Sequence, residues 1–243
     1  MYLAATVGAV INIAKHLPNY IEPMKNPQPR TTEEPVTSFD YPIQHSIKLP
    51  KNIDPITARF DEVINYRQSK RTFSGINLQQ LSNILWYTAK VKKTFLQDNG
   101  YILTHRGTPS AGARHPIDIL IINQTLLNSN LPHYYNSIEH TLNRLDLPVQ
   151  LVANFLEHVN GIVNITNATI AWFVAHHHRT AAKYENPESL IWRDAGALIN
   201  SIQLTCTALN INCCPIGSLG EPYIDDFFNH QDGIFGAGGI LIG

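Results

Sequence analysis

Charge is scarce in this chain. Asp, Glu, Lys and Arg make up 15% of its 243 residues, against the roughly one quarter usual for a soluble domain. A surface this poor in charge points to part of it being covered by another chain. The formal net charge is −1, so no broad basic field exists to hold nucleic acid. Cysteine is equally sparse: Cys206, Cys213 and Cys214 are all there is, and the last two are adjacent. Neighbouring cysteines rarely bridge each other, and an odd, low count argues against a disulfide framework. A reducing compartment, the cytoplasm, fits. No Cys-x-x-Cys occurs and no zinc pattern is visible. Long apolar runs are missing too. The mostly apolar stretch 1–14 is too short to span a bilayer and lacks the basic flank and cleavage site of a signal peptide. It reads as an arm that docks on the protein or on a partner.

What is present is a globular composition, 44% apolar, at a length that allows one large domain or two small ones. Residues 18–55 are rich in Pro, Asn, Thr and Glu and read as a loosely structured leader. The chain divides into a leader or arm over residues 1–54 and a domain over 55–243. Phe60, Val63, Ile64 and Arg67 recur at helical spacing, so a helix runs to about Tyr66. A second helix opens at Asn77, with Gln80 as its capping-box partner, and presents Leu78, Leu81, Ile84 and Leu85 until about Lys90. Residues 117–122, 169–175 and 237–242 read as strands. Asn186-Pro187 reads as an N-cap with proline at the first helical position. Behind it, Ile191, Ala195, Leu198, Ile199, Ile202, Cys206 and Leu209 keep one apolar face for about five turns. That helix is expected to be central and buried, and the fold class is α+β.

Four short segments carry chemistry. Arg67-Gln68-Ser69-Lys70-Arg71 follows a helix end. In extended chain Arg67, Ser69 and Arg71 form one row of cation, hydroxyl, cation, suited to a phosphate with a polyol tail. Pro109-Ser110-Ala111-Gly112-Ala113-Arg114-His115-Pro116 is a rigid turn of small residues, over which a flat ligand can lie close to backbone. Cys214-Pro215-Ile216-Gly217-Ser218 offers backbone N–H groups that can meet a ring nitrogen gaining negative charge. Lys183-Tyr184 sits at a helix entrance as a possible base and orienting acid; a lysine so used needs partial burial or a nearby cation. Taken singly, each is also the pattern of an ordinary solvated turn, loop or packed side chain. His176, His177 and His178 read as a strand end whose imidazoles split between two faces, so they do not converge on one metal ion.

The order of these segments carries more than any one of them. Arg67-x-Ser69-x-Arg71-x-Phe73, Leu81-Ser82-x-Ile84-Leu85-Trp86, Arg106-x-x-Pro109-Ser110-Ala111-Gly112-Ala113-Arg114-His115-Pro116, His133-Tyr134-Tyr135, Lys183-Tyr184, Trp192-Arg193-Asp194-Ala195-Gly196 and Cys214-Pro215-Ile216-Gly217 follow one another. This succession resembles the nitroreductase-like FMN flavoproteins over roughly residues 55–243. Within them it is similar to the SagB-type azoline dehydrogenases, which turn thiazolines and oxazolines in peptides into thiazoles and oxazoles. The resemblance implies a central mixed or antiparallel sheet flanked by helices around a long buried central helix. It implies a homodimer with FMN at the subunit interface, a peptide substrate and a cyclodehydratase complex as a partner. By the same resemblance Arg67, Ser69 and Arg71 hold the ribityl phosphate. Pro109, Ser110, Ala111, Gly112 and Arg114 reach the flavin from the other subunit, Ile216 and Gly217 face its N5 side, and Lys183 and Tyr184 carry the dehydrogenation. Two features depart from the pattern. No Lys or Arg follows Arg193 to supply the late phosphate-binding cation of many members, and Asp194 stands where relatives often have Glu. Other readings on the same fold are an NAD(P)H-dependent nitro or quinone reductase and a flavin-free scaffold subunit.

Overall fold

The structure is a computed structural model that describes residues 24–34, 36, 39–98 and 100–243. The expected docking arm over residues 1–14 lies outside the described residues. In chain order the elements are β1 (Gln28–Pro29), β2 (Ile43–Lys48), α1 (Phe60–Tyr66), α2 (Leu78–Thr88), β3 (Lys93–Leu96), β4 (Ile102–His105), β5 (Ile117–Ile122), α3 (Gln124–Leu127), β6 (His133–Asn136) and β7 (Thr141–Leu145). They continue with α4 (Val149–Ile162), β8 (Thr169–His176), α5 (His177–Ala181), β9 (Tyr184–Glu185), α6 (Glu188–Ala208), β10 (Cys213–Ile216), α7 (Tyr223–Phe227) and β11 (Ile234–Ile242).

A seven-stranded sheet in the order β10-β11-β8-β5-β6-β7-β2 forms the frame. Every pair in it is antiparallel, and helices cover both faces, as an α+β fold requires. That covering explains why β5 and β8 are buried at every position: alternate side chains serve two different cores. Ile117, Ile119, Ile121, Ala171, Phe173 and Ala175 pack with α2 and α6 through Leu81, Ile84, Leu85, Ile191, Leu198 and Ile202. Leu120, Ile122, Ile170, Trp172 and Val174 pack with α4 and α7 through Val152, Phe155, Val159, Ile224 and Phe227. Phe155 meets Trp172 edge-to-face at 4.8 Å, the geometry that aromatic quadrupoles favour.

Local signals act as the residue types dictate. Asn77 accepts from the Gln80 backbone N–H, and the Gln80 side chain accepts from the Asn77 N–H, closing both halves of a capping box. The long helix α6 is set between sheet and α2, with Ile191, Ala195, Leu198, Ile202 and Cys206 buried along one face. All three cysteines are free and buried. Among the described residues no helix is long and apolar enough to cross a membrane.

The structure departs from the sequence reading in four places. The leader is not loose throughout: β2 closes one edge of the main sheet against β7, and β1 pairs with β9. Its Pro-rich composition hid two short strands whose partners lie over ninety residues away. Helix α6 starts at Glu188. Asn186 takes the left-handed conformation (φ 52°) and turns its amide to the carbonyl of Asn26 at 3.4 Å instead of capping the helix. His177 and His178 open helix α5, so only His176 ends the strand. The three imidazoles serve separate partners: Asp118 and Tyr41, Glu188, and the Asp232 carbonyl. On α1 only Val63 is buried, while Phe60 is 72% and Ile64 48% exposed. Its apolar periodicity is real, but much of that face looks outward.

Candidate functional site

Loop 109–116 is fixed by α6 beneath it. Ser110 Oγ donates to Asp194 Oδ2 at 2.5 Å, the Ala111 N–H donates to Asp194 Oδ1 at 3.1 Å, and the His115 N–H donates back to Ser110 Oγ at 2.8 Å. Burial pushes the Asp194 carboxyl up from its usual value, and its bonds to Ser110 and Ala111 pull the other way. The backbone turns sharply here. Gly112 has φ 58°, and a Cβ on it would stand 2.9 Å from Lys183 Cδ and 3.0 Å from the Tyr184 hydroxyl. Only glycine gives both the left-handed turn and that closeness. The structure therefore brings the small-residue loop and the Lys183-Tyr184 pair into direct contact.

The leader completes this side of the site. Pro29 pairs with Tyr184, the Arg30 N–H donates to the Lys183 carbonyl at 2.8 Å, and the Glu34 N–H donates to the Ala182 carbonyl at 2.9 Å. The Glu33 carboxylate lies between two cations, Lys183 Nζ at 3.3 Å and Arg114 Nη2 at 2.5 Å. The Arg114 contact is short but not aligned as a hydrogen bond, since its guanidinium nitrogens find no acceptor of good geometry. It is an ion pair, backed by the guanidinium lying 4.0 Å over the Tyr101 ring. Glu33 carries no signal in the sequence, because the chain reaches Lys183 only after 150 residues.

Arg67, Ser69 and Arg71 sit elsewhere, in extended chain beside β10. The Lys70 N–H donates to the Cys213 carbonyl at 2.9 Å, and Gln203 Nε2 donates to Ser69 Oγ at 3.3 Å. The Cys213 thiol is held down chiefly by a hydrogen bond with Cys206, against its burial, with help from Arg67 and Lys70. Among the described residues none of Arg67, Lys70 and Arg71 is in an ion pair, so their charge is available to a ligand. At the far end of β10 Ile216 is buried, while a Cβ on Gly217 would meet nothing within 4 Å. Gln203 escaped the sequence reading, although a glutamine beside Ile202 on an apolar helix face is the available hint. Asp194 and Gln203 anchor the two halves of the site on one helix. They are nine residues apart, which at the α-helical rise is about 14 Å. The candidate residues thus fall into two separate clusters: Arg67, Lys70, Arg71 and the open space at Gly217 in one, the loop and Lys183-Tyr184 in the other.

Behind the loop lies a buried polar network that no motif announced. Arg179 holds Asp118 with two hydrogen bonds of 2.7 Å, and the Tyr41 hydroxyl and His176 Nε2 reach Asp118 Oδ2 at 2.9 and 3.0 Å. Burial alone raises the Asp118 pKa, but Arg179 and His176 outweigh it and hold the carboxyl well below the usual range.

A model of the nitroreductase family matches residues 64–243. The chain belongs to the nitroreductase family. Members of this family are flavoproteins, and the arrangement above is that of a nitroreductase-like α+β fold. Solved structures agree on the fold. A protein assigned as a nitroreductase from Ralstonia eutropha JMP134 superposes with a TM-score of 0.61 at 20% identity, over 87% of this chain and 97% of that one. Another, from Anabaena variabilis, gives 0.62 at 16% identity over 88% of this chain and 42% of that longer one. The Escherichia coli microcin synthetase McbBCD, in complex with truncated pro-MccB17, gives 0.54 at 11% identity, over 81% and 77%. Among curated proteins none matches the chain.

Proposed function

We propose that this nitroreductase-family flavoprotein is a cytoplasmic, homodimeric, FMN-dependent azoline dehydrogenase of the SagB type, oxidising peptide thiazolines or oxazolines to thiazoles or oxazoles. The observation that carries the reading is the contact of Gly112 with Lys183 and Tyr184, which sets a lysine and a phenol on the very loop assigned to the flavin. The residues fit FMN. Arg67 and Arg71, free of ion pairs among the described residues, and Ser69 would hold its phosphate. Gly217, with open space around it, would lie beside its ring, next to the buried strand residue Ile216. Pro109, Ser110, Ala111, Gly112 and Arg114 would approach from the second copy, which brings the two half-sites of different protomers together. The exposed Phe60 and Ile64 beside the phosphate row supply an apolar face for that copy. FMN, when bound, supplies the hydride acceptor for the azoline ring.

The chain's own residues handle the proton. To act as the base, Lys183 first releases to solvent the proton it carries in its ion pair with Glu33; it then takes one C–H proton from the azoline ring, while Tyr184 orients the ring. Glu33, 3.3 Å away, balances the ammonium that results. Aromatisation of the ring makes the step downhill. The microcin synthetase neighbour is a complex with truncated pro-MccB17 bound, which supports action within a partner complex for this chain as well; the peptide substrate and the cyclodehydratase partner follow from the azoline dehydrogenase reading. In the test, Lys183→Ala retains the flavin absorption of the wild type and loses the mass decrease of about 2 Da that accompanies each azole. Normal azole product from that variant refutes the role of Lys183, and a colourless wild-type protein that ignores added FMN refutes the flavin. The nitroreductase assignment of the Ralstonia neighbour favours a second reading, NAD(P)H-dependent nitro or quinone reduction; rapid bleaching of the flavin by NADPH identifies it.

A further inference from the structure

A cleft of about 670 Å³ opens beside the Glu33–Arg114 pair, with Tyr41, Tyr101, Tyr134, Ile102 and Ile138 among its walls. A chamber of about 30 Å³ lies behind loop 109–116 and shares Arg106, His115, Asp118 and Ser137 with the cleft. The chamber has room for a group the size of a carboxylate head; the cleft has room for the body that bears it.

Most of the charge around this space is already matched. Arg114 faces Glu33, Arg179 is bidentate to Asp118, and Glu34 pairs with Arg30. His115 adds no charge near neutral pH: burial, with help from the Arg106 charge, pushes its pKa down to about 3, and its Nε2–H donates to the Thr104 carbonyl at 3.0 Å. Asp194, also in the chamber wall, is in no ion pair but accepts from Ser110 Oγ and the Ala111 N–H; among the cations around the space the exception is Arg106. Among the described residues it is in no ion pair, and its one hydrogen bond runs from Nε to Thr104 Oγ1 at 3.3 Å. It feels the Asp118 charge, but the oxygens of Asp118 are taken by Arg179, Tyr41 and His176. In the same chamber Thr108, 5% exposed, has a hydroxyl with no hydrogen-bond partner. A half-buried guanidinium outside any ion pair and an orphaned buried hydroxyl both gain when a ligand arrives to bond them.

We infer that Arg106 and Thr108 form a carboxylate-binding subsite, which takes a carboxylate borne on an apolar or aromatic body seated in the outer cleft. The two terminal guanidinium nitrogens match the paired oxygens of a carboxylate, and the Thr108 O–H adds a third donor. The subsite stands whichever reaction the flavin half performs. The carboxylate comes either from the oxidised substrate itself or from a separate small acid.

The experiment titrates benzoate, with benzyl alcohol as the uncharged control, into the FMN-loaded protein by calorimetry. Benzoate binds the wild type, Arg106→Gln weakens it roughly 10- to 100-fold and Thr108→Val roughly threefold to tenfold, as expected for charge-assisted and single hydrogen bonds. Benzyl alcohol binds wild type and Arg106→Gln alike. A rise in KM for an azoline peptide in the presence of benzoate identifies the substrate's own carboxylate; binding with unchanged turnover identifies a separate acid. No benzoate binding at millimolar concentration overturns the inference, as does equal binding by the wild type and both variants. Thr108→Val is nearly isosteric, so it decides the matter if Arg106→Gln fails to fold. Failure of the azoline reading shows as absent azole product and leaves the binding isotherm unchanged.

Discussion

The bond between Ser110 and Asp194 can be tested quantitatively, because it is the only hydrogen bond between two side chains described between the small-residue loop and α6. Ser110→Ala removes a hydrogen bond to a carboxylate, worth about 1.5–3 kcal/mol, and deprives the His115 N–H of its acceptor, about 1 kcal/mol more. The single change therefore destabilises by about 2.5–4 kcal/mol. Asp194→Ala removes the acceptor of both Ser110 Oγ and the Ala111 N–H, with a cost of similar size. The shared bond cannot be lost twice. The double variant is therefore less destabilised than the two singles added together, by about 1.5–3 kcal/mol. Urea unfolding of the four proteins at pH 7.5, at one protein concentration, measures the difference. With FMN bound as proposed, loosening the loop also lowers FMN affinity in both single variants, since part of the binding free energy then goes into ordering it. A coupling below about 0.5 kcal/mol, the scatter expected of independent sites, refutes the claim that α6 positions the loop through this pair.

Stability is also expected to fall in mild acid. His115 and His140 are held neutral in the fold, mainly by burial, with pKa values pushed down to about 3 and about 4. In the unfolded chain both take up protons below about pH 6.5. Their contribution is complete above that pH and is lost as pH falls from about 6.5 towards 4, at up to about 1.4 kcal/mol per pH unit for each; a urea midpoint unchanged between pH 7 and pH 5 contradicts this. Phe60→Ser and Ile64→Ser leave the folded protomer nearly as stable, but in the proposed homodimer each weakens self-association by at least about tenfold, given about 1.5–3 kcal/mol for a large apolar side chain returned to water. Sedimentation equilibrium reads this, and unchanged dimerisation removes α1 from the interface. Gly236→Ala places a Cβ 1.7 Å from the Leu219 carbonyl oxygen. The backbone must shift, at about 1–3 kcal/mol or more, and a melting temperature equal to the wild type shows that the crossing is looser than described.

Signals confined to one stretch of chain were legible. The Asn77–Gln80 capping box, the apolar runs at 117–122 and 169–175 and the five-turn face of α6 need only neighbours in sequence to act, and they form as the residue types predict. Pairings across the chain were not. Nothing in Ile43–Lys48 announces that β7 is its partner, and nothing in Glu33 announces Lys183. The exposed Phe60 and Ile64 show the limit of periodicity, which marks an apolar face without saying what covers it. The polar network of Asp118, Arg179, His176 and Tyr41 escaped for the same reason, since four residues from three elements and a loop have no spacing to read. Asp194 was visible as a substitution within a familiar motif, but its bond to Ser110 belongs to the fold.

Strand β2 lies ahead of residue 64, where the family match begins, yet β7 depends on it for its outer hydrogen bonds. A fragment cut to the family boundary would leave β7 as a bare edge, with backbone N–H and C=O groups turned to solvent and ready to zip onto another chain. The same cut would strip Glu33 from Lys183 and Arg114. Solubility and site chemistry would then fail together, from the loss of residues that the homology alone marks as dispensable.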